Sequence, residues 1–487
     1  MKHVLFLLLV MSSFLVVAQS SSPSYRAGEL NKGLSNLQAQ DCWILSKDHV
    51  EVVALTYDVR LGTWKKGFEI MVLDTNANVI RRVELPETSF RSSVITANYV
   101  DGMAYVILEV EPFVYQRMVV DTKSMSVVSV ETLFEERSNK NFKSACMSAK
   151  SDNNLFYALN IVWYNKQTDE VFFRQQLLDE KLQLLWEKTY NTLPVFGMKV
   201  SDDGELMLLA SSYYSDDNRT IIEASFLDVD GESRVEAELC GGETHDLRLM
   251  NVVGDWAVCG GLMVANGKRD DIYDSMIGVA FNIRTGEVRR HMLPFTEADV
   301  NVLHASKLDK TRKEKFAADL YCDEVCATAY GGAYCCRRSW VHVVRYTDGR
   351  EIYTSHTNGS ILFAVDTNGL ILWHKPFRTY YVEGTSEHLY ANLLTLSDGE
   401  TVYFICPERK NAPNVYNVQE NDRHIKMNIA ACSYGVYSIN KDGIVTKTQW
   451  DVDKGTRIMD SRYKLSQKNY LVFQSSIKKS ALGYVRF

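Results

Sequence analysis

One pattern limits what this chain can fold into. Residues 363–377 read FAVDTNGLILWHKPF, an apolar run up to an Asp, a short turn, and a second β-rich run. The same hairpin recurs as VLDTNANVIRRVEL (72–85), VVDTKSMSVVSVETL (119–133), LLDEKLQLLWEKTY (177–190) and FLDVDGESRVEAEL (226–239). It returns again as FNIRTGEVRRHML (281–293) and YSINKDGIVTKTQWD (437–451). Turns built from Asp, Asn and Gly supply the positive φ that matches the twist of paired strands.

A second hairpin precedes these, for example NYVDGMAYVILEV (98–110), MKVSDDGELMLLASSYY (198–214), TLSDGETVYFICP (395–407) and YKLSQKNYLVFQSS (463–476). Each unit therefore reads as four antiparallel strands, a to d, with units starting near Cys42, Ser92, Ser144, Gly197, Asp246, Lys315, Leu389 and Ser461. Four-stranded units at this period are the signature of a β-propeller. The expected fold is all-β, a single propeller of eight blades; seven blades, or a tandem of β-sandwiches, are the alternatives. The last unit lacks a strand d after ALGYVRF (481–487), and SYRAGEL (24–30) has no partner in unit one. Residues 24–30 are therefore expected to complete the last blade and close the ring, which removes exposed sheet edges.

Asp366, Gly369 and Trp373 in AVDTNGLILW resemble the Ala-x-Asp-x-x-x-Gly-x-x-x-Trp turn of PQQ-like repeats, and LLWEKTY (184–190) resembles hairpins of secreted Bacteroidetes-type proteins. The Trp recurs only at Trp186 and Trp373. The resemblance implies an eight-bladed bacterial propeller. Such propellers include quinone-dependent dehydrogenases and scaffolds without catalysis, so it implies a fold and no activity.

The N-terminus sets an expected address. Met1-Lys2-His3 is a short positive segment, residues 4–18 are apolar, and Val16-Val17-Ala18 offers small residues before Gln19. That pattern reads as a secretory signal peptide over 1–18, too short to span a membrane, leaving 19–487 as the propeller. The expected location is periplasmic or secreted. The first cysteine is Cys42, so no lipoprotein anchor is expected at the cleavage site. Formal net charge is −7, with no basic stripe, which argues against a nucleic-acid partner. A monomer without a transmembrane segment in the mature chain is expected.

In a propeller the a–b and c–d turns lie on one side of the ring; the b–c and d–a connections lie on the other. Here the long connections are 294–314 (d–a), 337–358 (b–c) and 408–431 (b–c), all on the second side over adjacent units. Long loops on a rigid scaffold are where binding resides. They and the crossover at 378–390 carry Trp340, His342, Arg345, Tyr346, Tyr380, Tyr381, Glu383, His388 and Tyr416. Aromatic rings beside Arg, His and carboxylates suit a protein or glycan surface, since planar rings give contact area at low entropic cost. The alternative is that these rings cover blade edges.

The sequence has 10 cysteines, which in an exported chain favours disulfides over metal. Cys406 ends strand b of unit seven and Cys432 opens strand c, so a Cys406–Cys432 bridge is the first candidate. Cys322, Cys326, Cys335 and Cys336 crowd unit six as disulfides, free thiols or, less in keeping with their spacing, a zinc site. A Cys335–Cys336 ring would match the quinone-dependent dehydrogenases, but their calcium ligands cannot be placed, and no cofactor is expected. No G-x-S-x-G, H-E-x-x-H or phosphate-loop motif occurs. Asn218-Arg-Thr and Asn358-Gly-Ser match glycosylation acceptors and read as turns. The leading expectation is a non-enzymatic binding propeller. The alternative is a polysaccharide hydrolase or lyase with carboxylates at the channel mouth.

Overall fold

The computed structural model describes residues 24–27, 39–48, 50–59, 66–74, 78–86, 88, 92–135, 142–165, 170–189, 194–265, 272–303, 317–318, 320–345, 351–379, 381–384, 393–409, 432–452, 456–466, 469–476 and 480–486. The expected signal peptide lies outside them. Among the described residues the strands form eight antiparallel sheets, each a four-strand path, so the ring has eight blades. Blade one is Ala39–Lys47, Glu51–Val59, Lys66–Asp74 and Val79–Glu84; blades two to seven repeat this order. Blade eight takes strands a to c from Thr456–Ser466, Asn469–Ser476 and Ser480–Arg486. Its strand d is Ser24–Ala27, paired from Ser24 opposite Arg486 to Ala27 opposite Gly483. The N-terminal strand closes the ring, as the unpaired segment implied.

The core lies between blades, not within them. Ala333 and Cys335 pack into the cluster shared by blades six and seven, while Tyr334 and Cys336 pack into the cluster shared by five and six. Similar clusters join each earlier pair of neighbours, and Val485 of blade eight packs on Leu396 and Tyr403 of blade seven. Strands b and c are thus buried on both faces, which is why they read as continuous apolar runs such as Val106–Leu108.

The recurring Asp or Asn now has a physical cause. At each of the seven c–d turns of blades one to seven, Asp74, Asp121, Asp179, Asp228, Asn282, Asp366 or Asn440 accepts a backbone N–H through Oδ1. These are Asx turns, in which the side chain stands in for a backbone carbonyl. The turn glycine has a second cause besides its left-handed φ. A β-carbon at Gly286 would lie 3.3 Å from Glu236 O, one at Gly369 2.4 Å from Arg289 O, and one at Gly443 2.9 Å from Trp373 Cβ. Each contact is with strand d of the preceding blade, so the turn seats on its neighbour, tightly at Gly286 and without room for a β-carbon at Gly369 and Gly443.

Two segments read as loops are otherwise. Within 337–358, residues 337–345 and 351–358 are strand: Gly331–Arg345 and Glu351–Asp366 pair along their length, so the b–c hairpin of blade six extends as a ribbon beyond the sheet. The crossover from 294 contains a helix, Glu297–Leu303. Asn218 does sit in a turn, at φ 49°, but Asn358 lies within a strand, beside a bulge at Gly359. No helix among the described residues is long and apolar enough to cross a membrane.

Candidate functional site

The antiparallel order places every b–c and d–a connection on one side of the ring. On that side the ribbon of blade six rises from a defined base. Arg337 pairs with Ser360 but Arg338 pairs with Asn358, so Gly359 bulges from strand c. The helix presses on that bulge: a β-carbon at Gly359 would lie 2.5 Å from Val302 Cγ1 and 2.6 Å from Val302 O. Thr296 and Asp299 form a reciprocal cap, Thr296 N donating to Asp299 Oδ2 at 2.8 Å and Asp299 N to Thr296 Oγ1 at 3.2 Å. Asp299 is buried, and its Oδ1 meets His374 Nε2 of blade six at 3.4 Å. Burial alone would raise this carboxyl; hydrogen bonds from His374 and Thr296 outweigh it and hold Asp299 below the usual carboxylate range.

Beyond the bulge, residues 338–345 pair with 351–358, and Tyr381–Gly384 adds a third strand against Thr354–Thr357. Val341, Val343, Val344, Ile352 and Thr354 suit such a pleated surface. Register places position 340 opposite 356, 342 opposite 354, and 382 opposite 356. Position 345 pairs with 351, 381 with 357 and 383 with 355. Of the residues singled out in sequence, positions 340, 342, 345, 381 and 383 thus lie on the three strands of one ribbon. Tyr346, Tyr380, His388 and Tyr416 lie outside the described residues.

A hollow of about 360 Å³ opens on the same side between blades four and five. Tyr213 and Asn218 form one wall, Gly241, Gly242 and Glu243 the crossover, and Asp274, Ser275 and Met263 the facing wall. Tyr213 OH donates to Asn218 Oδ1 at 2.9 Å, Gly242 N to Asn218 O at 2.8 Å, and Ser275 Oγ to Asp274 Oδ1 at 2.7 Å. Gly242 takes φ 108°, which keeps the crossover tight and the space open. Met292, which lines the hollow, and Tyr214 nearby are exposed large hydrophobic side chains. Sequence reasoning sought long loops and passed over this place. The available signal was the pair Gly241-Gly242 in a crossover of minimal length.

Three inner-strand carboxylates, Asp246, Asp323 and Glu324, are committed to contacts between and within blades. Asp246 pairs with Arg248 at 2.6 Å and accepts the Cys322 N–H; Glu324 Oε2 accepts the Thr395 N–H at 2.9 Å; Asp323 meets Arg337 at 2.8 Å. Asp48 accepts the N–H groups of Val50 and Glu51 in a turn, and His245 packs against Tyr273 with the two rings tilted by 34°. No group of three or more metal-ligating side chains occurs among the described residues.

The Cys406–Cys432 bridge is corrected by register. Cys406 pairs with Gly435 and Cys432 with Arg409, three rungs apart. At about 3.3 Å per residue that separation exceeds disulfide reach. Cys406 is a buried thiol, its Sγ 4.0 Å from Glu408 Oε1. A Cys335–Cys336 ring is likewise not formed, because consecutive strand residues point apart, into the two different cores named above.

No protein-family model matches the chain, and no curated protein matches it. The PQQ-like resemblance therefore holds at the level of the propeller fold alone. Similar solved structures include prolyl oligopeptidase B from Galerina marginata, 8% identical with a TM-score of 0.37 over 92% of this chain and 57% of that one. Drosophila Semaphorin 1b is 10% identical, TM-score 0.32, over 96% of this chain and 87% of that one. The β-propeller domain of the trilobed protease from Pyrococcus furiosus is 9% identical, TM-score 0.35, over 88% and 100%. The chain spans 55% and 57% of the length of the two prolyl peptidase structures it resembles.

Proposed function

We propose that this chain is an exported, non-enzymatic propeller that binds an envelope or extracellular protein, or a glycan, through the side bearing the b–c and d–a connections. One observation carries the reading: the ribbon of blade six, the crossover helix at its base and the hollow between blades four and five all occupy that side, while the other side carries tight Asx turns. Ordered projections beside a recess offer a partner a shaped surface on a rigid ring. The engagement of Asp246, Asp323 and Glu324 in ion pairs and backbone hydrogen bonds favours binding over carboxylate catalysis at the channel mouth. The test is a glycan array and an envelope pull-down with the wild type and a variant whose residues 339–357 are replaced by a short Gly-Ser turn. Retention by the wild type and loss by the variant is the expected result. Equal retention by both would remove the ribbon from the function.

A further inference from the structure

Blade six holds two thiols placed opposite each other across neighbouring strands. Cys322 of strand a (Leu320–Thr328) pairs with Cys336 of strand b. The Cys322 N–H is donated to the Asp246 carboxylate of blade five, so it points away from strand b and is not spent on the a–b ladder. A residue whose N–H points away from the facing strand belongs to a non-hydrogen-bonded pair, with Cα atoms about 4.5 Å apart and side chains close together. That spacing lies within the disulfide range. Both side chains also face the same way: Cys336 belongs to the core between blades five and six, and Cys322 packs against that core. The other two thiols of the cluster are placed differently. Cys335 enters the core between six and seven, and Cys326 on that side faces Ala333, a diagonal neighbour of Cys335 at about 7–8 Å.

We propose that Cys322 and Cys336, free thiols in this structure, are a modification site that closes to a cross-strand disulfide when the protein meets a disulfide oxidant such as glutathione disulfide. Cys322 is half-buried and Cys336 fully buried, so Cys322 is the thiol an oxidant reaches first. Its thiolate attacks the oxidant disulfide and releases one glutathione thiol. The Cys336 thiolate then displaces the second glutathione. Two S–H bonds are lost, one S–S bond forms inside the blade, and one glutathione disulfide becomes two thiols. Burial and the Asp246 carboxylate push the Cys322 thiol up to about 12, so the exchange speeds up as pH rises. The bridge would pin the inner strand of blade six to the strand that continues into the ribbon.

The test uses the full chain, refolded in a glutathione redox buffer, with residual thiols then alkylated. Trypsin leaves residues 316–337 as one peptide holding all four cysteines, and cleavage after Glu324 separates Cys322 from the other three. The expected product is residues 316–324 linked to 325–337, lighter than the two free peptides by two hydrogens. The link should persist in Cys335→Ser and in Cys326→Ser and vanish in Cys336→Ala. Alkylated Cys322 in the oxidised wild type overturns the proposal without recourse to any variant. A link that survives in Cys336→Ala overturns it as well, because Cys322 would then have another partner.

Discussion

Glycine 369 is the sharpest place to ask whether blades are held by turns seated on their neighbours. It carries two separable burdens: a φ of 76°, and a position where a β-carbon would lie 2.4 Å from Arg289 O and 2.7 Å from Ala280 N of blade five. Gly399 carries only the first, with φ 99° and nothing within 4 Å, and Gly231 carries neither. Alanine in left-handed backbone costs about 1–2 kcal/mol. Forcing a methyl group into packed backbone adds about 1–3 kcal/mol. Gly369→Ala is therefore expected to cost about 2–5 kcal/mol and Gly399→Ala about 1–2 kcal/mol. Gly231→Ala should be neutral or stabilising by up to about 1 kcal/mol, since it restricts the unfolded chain. Urea unfolding of the three variants beside the wild type, with slopes compared to check that the transition keeps its character, gives the differences. Equal losses for Gly369→Ala and Gly399→Ala would mean the turn does not seat on blade five, and the account of the repeat would be wrong.

Asp366→Ala removes the acceptor for the N–H groups of Asn368 and Leu370 and should cost about 1–2 kcal/mol, whereas Asp366→Asn should be near neutral because Asn282 and Asn440 fill the same position in other blades. Equal urea midpoints for the two variants would count against the Asx-turn explanation. Asp299 has its carboxyl held below the ordinary range in the folded state, so its contribution is present above about pH 4 and is lost as pH falls through the lowered value. Melting curves across that window should show Asp299→Asn losing less stability on acidification than the wild type; parallel losses would refute the pairing with His374. Deleting residues 23–31 removes the closing strand and should lower the melting midpoint by about 5 °C or more, with an unchanged midpoint meaning that Ser24–Ala27 does not hold the ring.

The fold was legible because its cause is local and repeated. An Asx side chain capping its own turn must be written at the c–d hairpin of each of blades one to seven, so blade count and ring closure followed from spacing. The side that gathers the longer connections was legible for a topological reason, since antiparallel order alone sends b–c and d–a connections to one side. What failed depended on register. RRSWVHVVRY and EIYTSHT alternate β-branched residues around Thr347-Asp348-Gly349, the same signal that marked the blade hairpins, yet the stretch was read as a loop because it exceeded one blade. The Cys406–Cys432 bridge failed because strand order shows which strands are neighbours without fixing which residues face each other. The Cys322–Cys336 pairing stayed hidden for the same reason, and the bulge between Cys322 and Glu324 shifts the count further. The hollow between blades four and five left almost no mark, because it is made by a connection too short to attract notice.

The central claim is that one side of this ring binds and the other does not. Exposed hydrophobic side chains exist on both sides: Tyr214 and Met292 where the connections lie, Val50 and Val229 on the turns opposite. Binding to the array glycans, or to the envelope protein retained by the wild type, should be measured for Tyr214→Glu/Met292→Glu and for Val50→Glu/Val229→Glu. The account predicts a loss of about tenfold or more, at least 1.4 kcal/mol, for the first pair and a change within about twofold for the second. The reverse order, or equal losses, would contradict it.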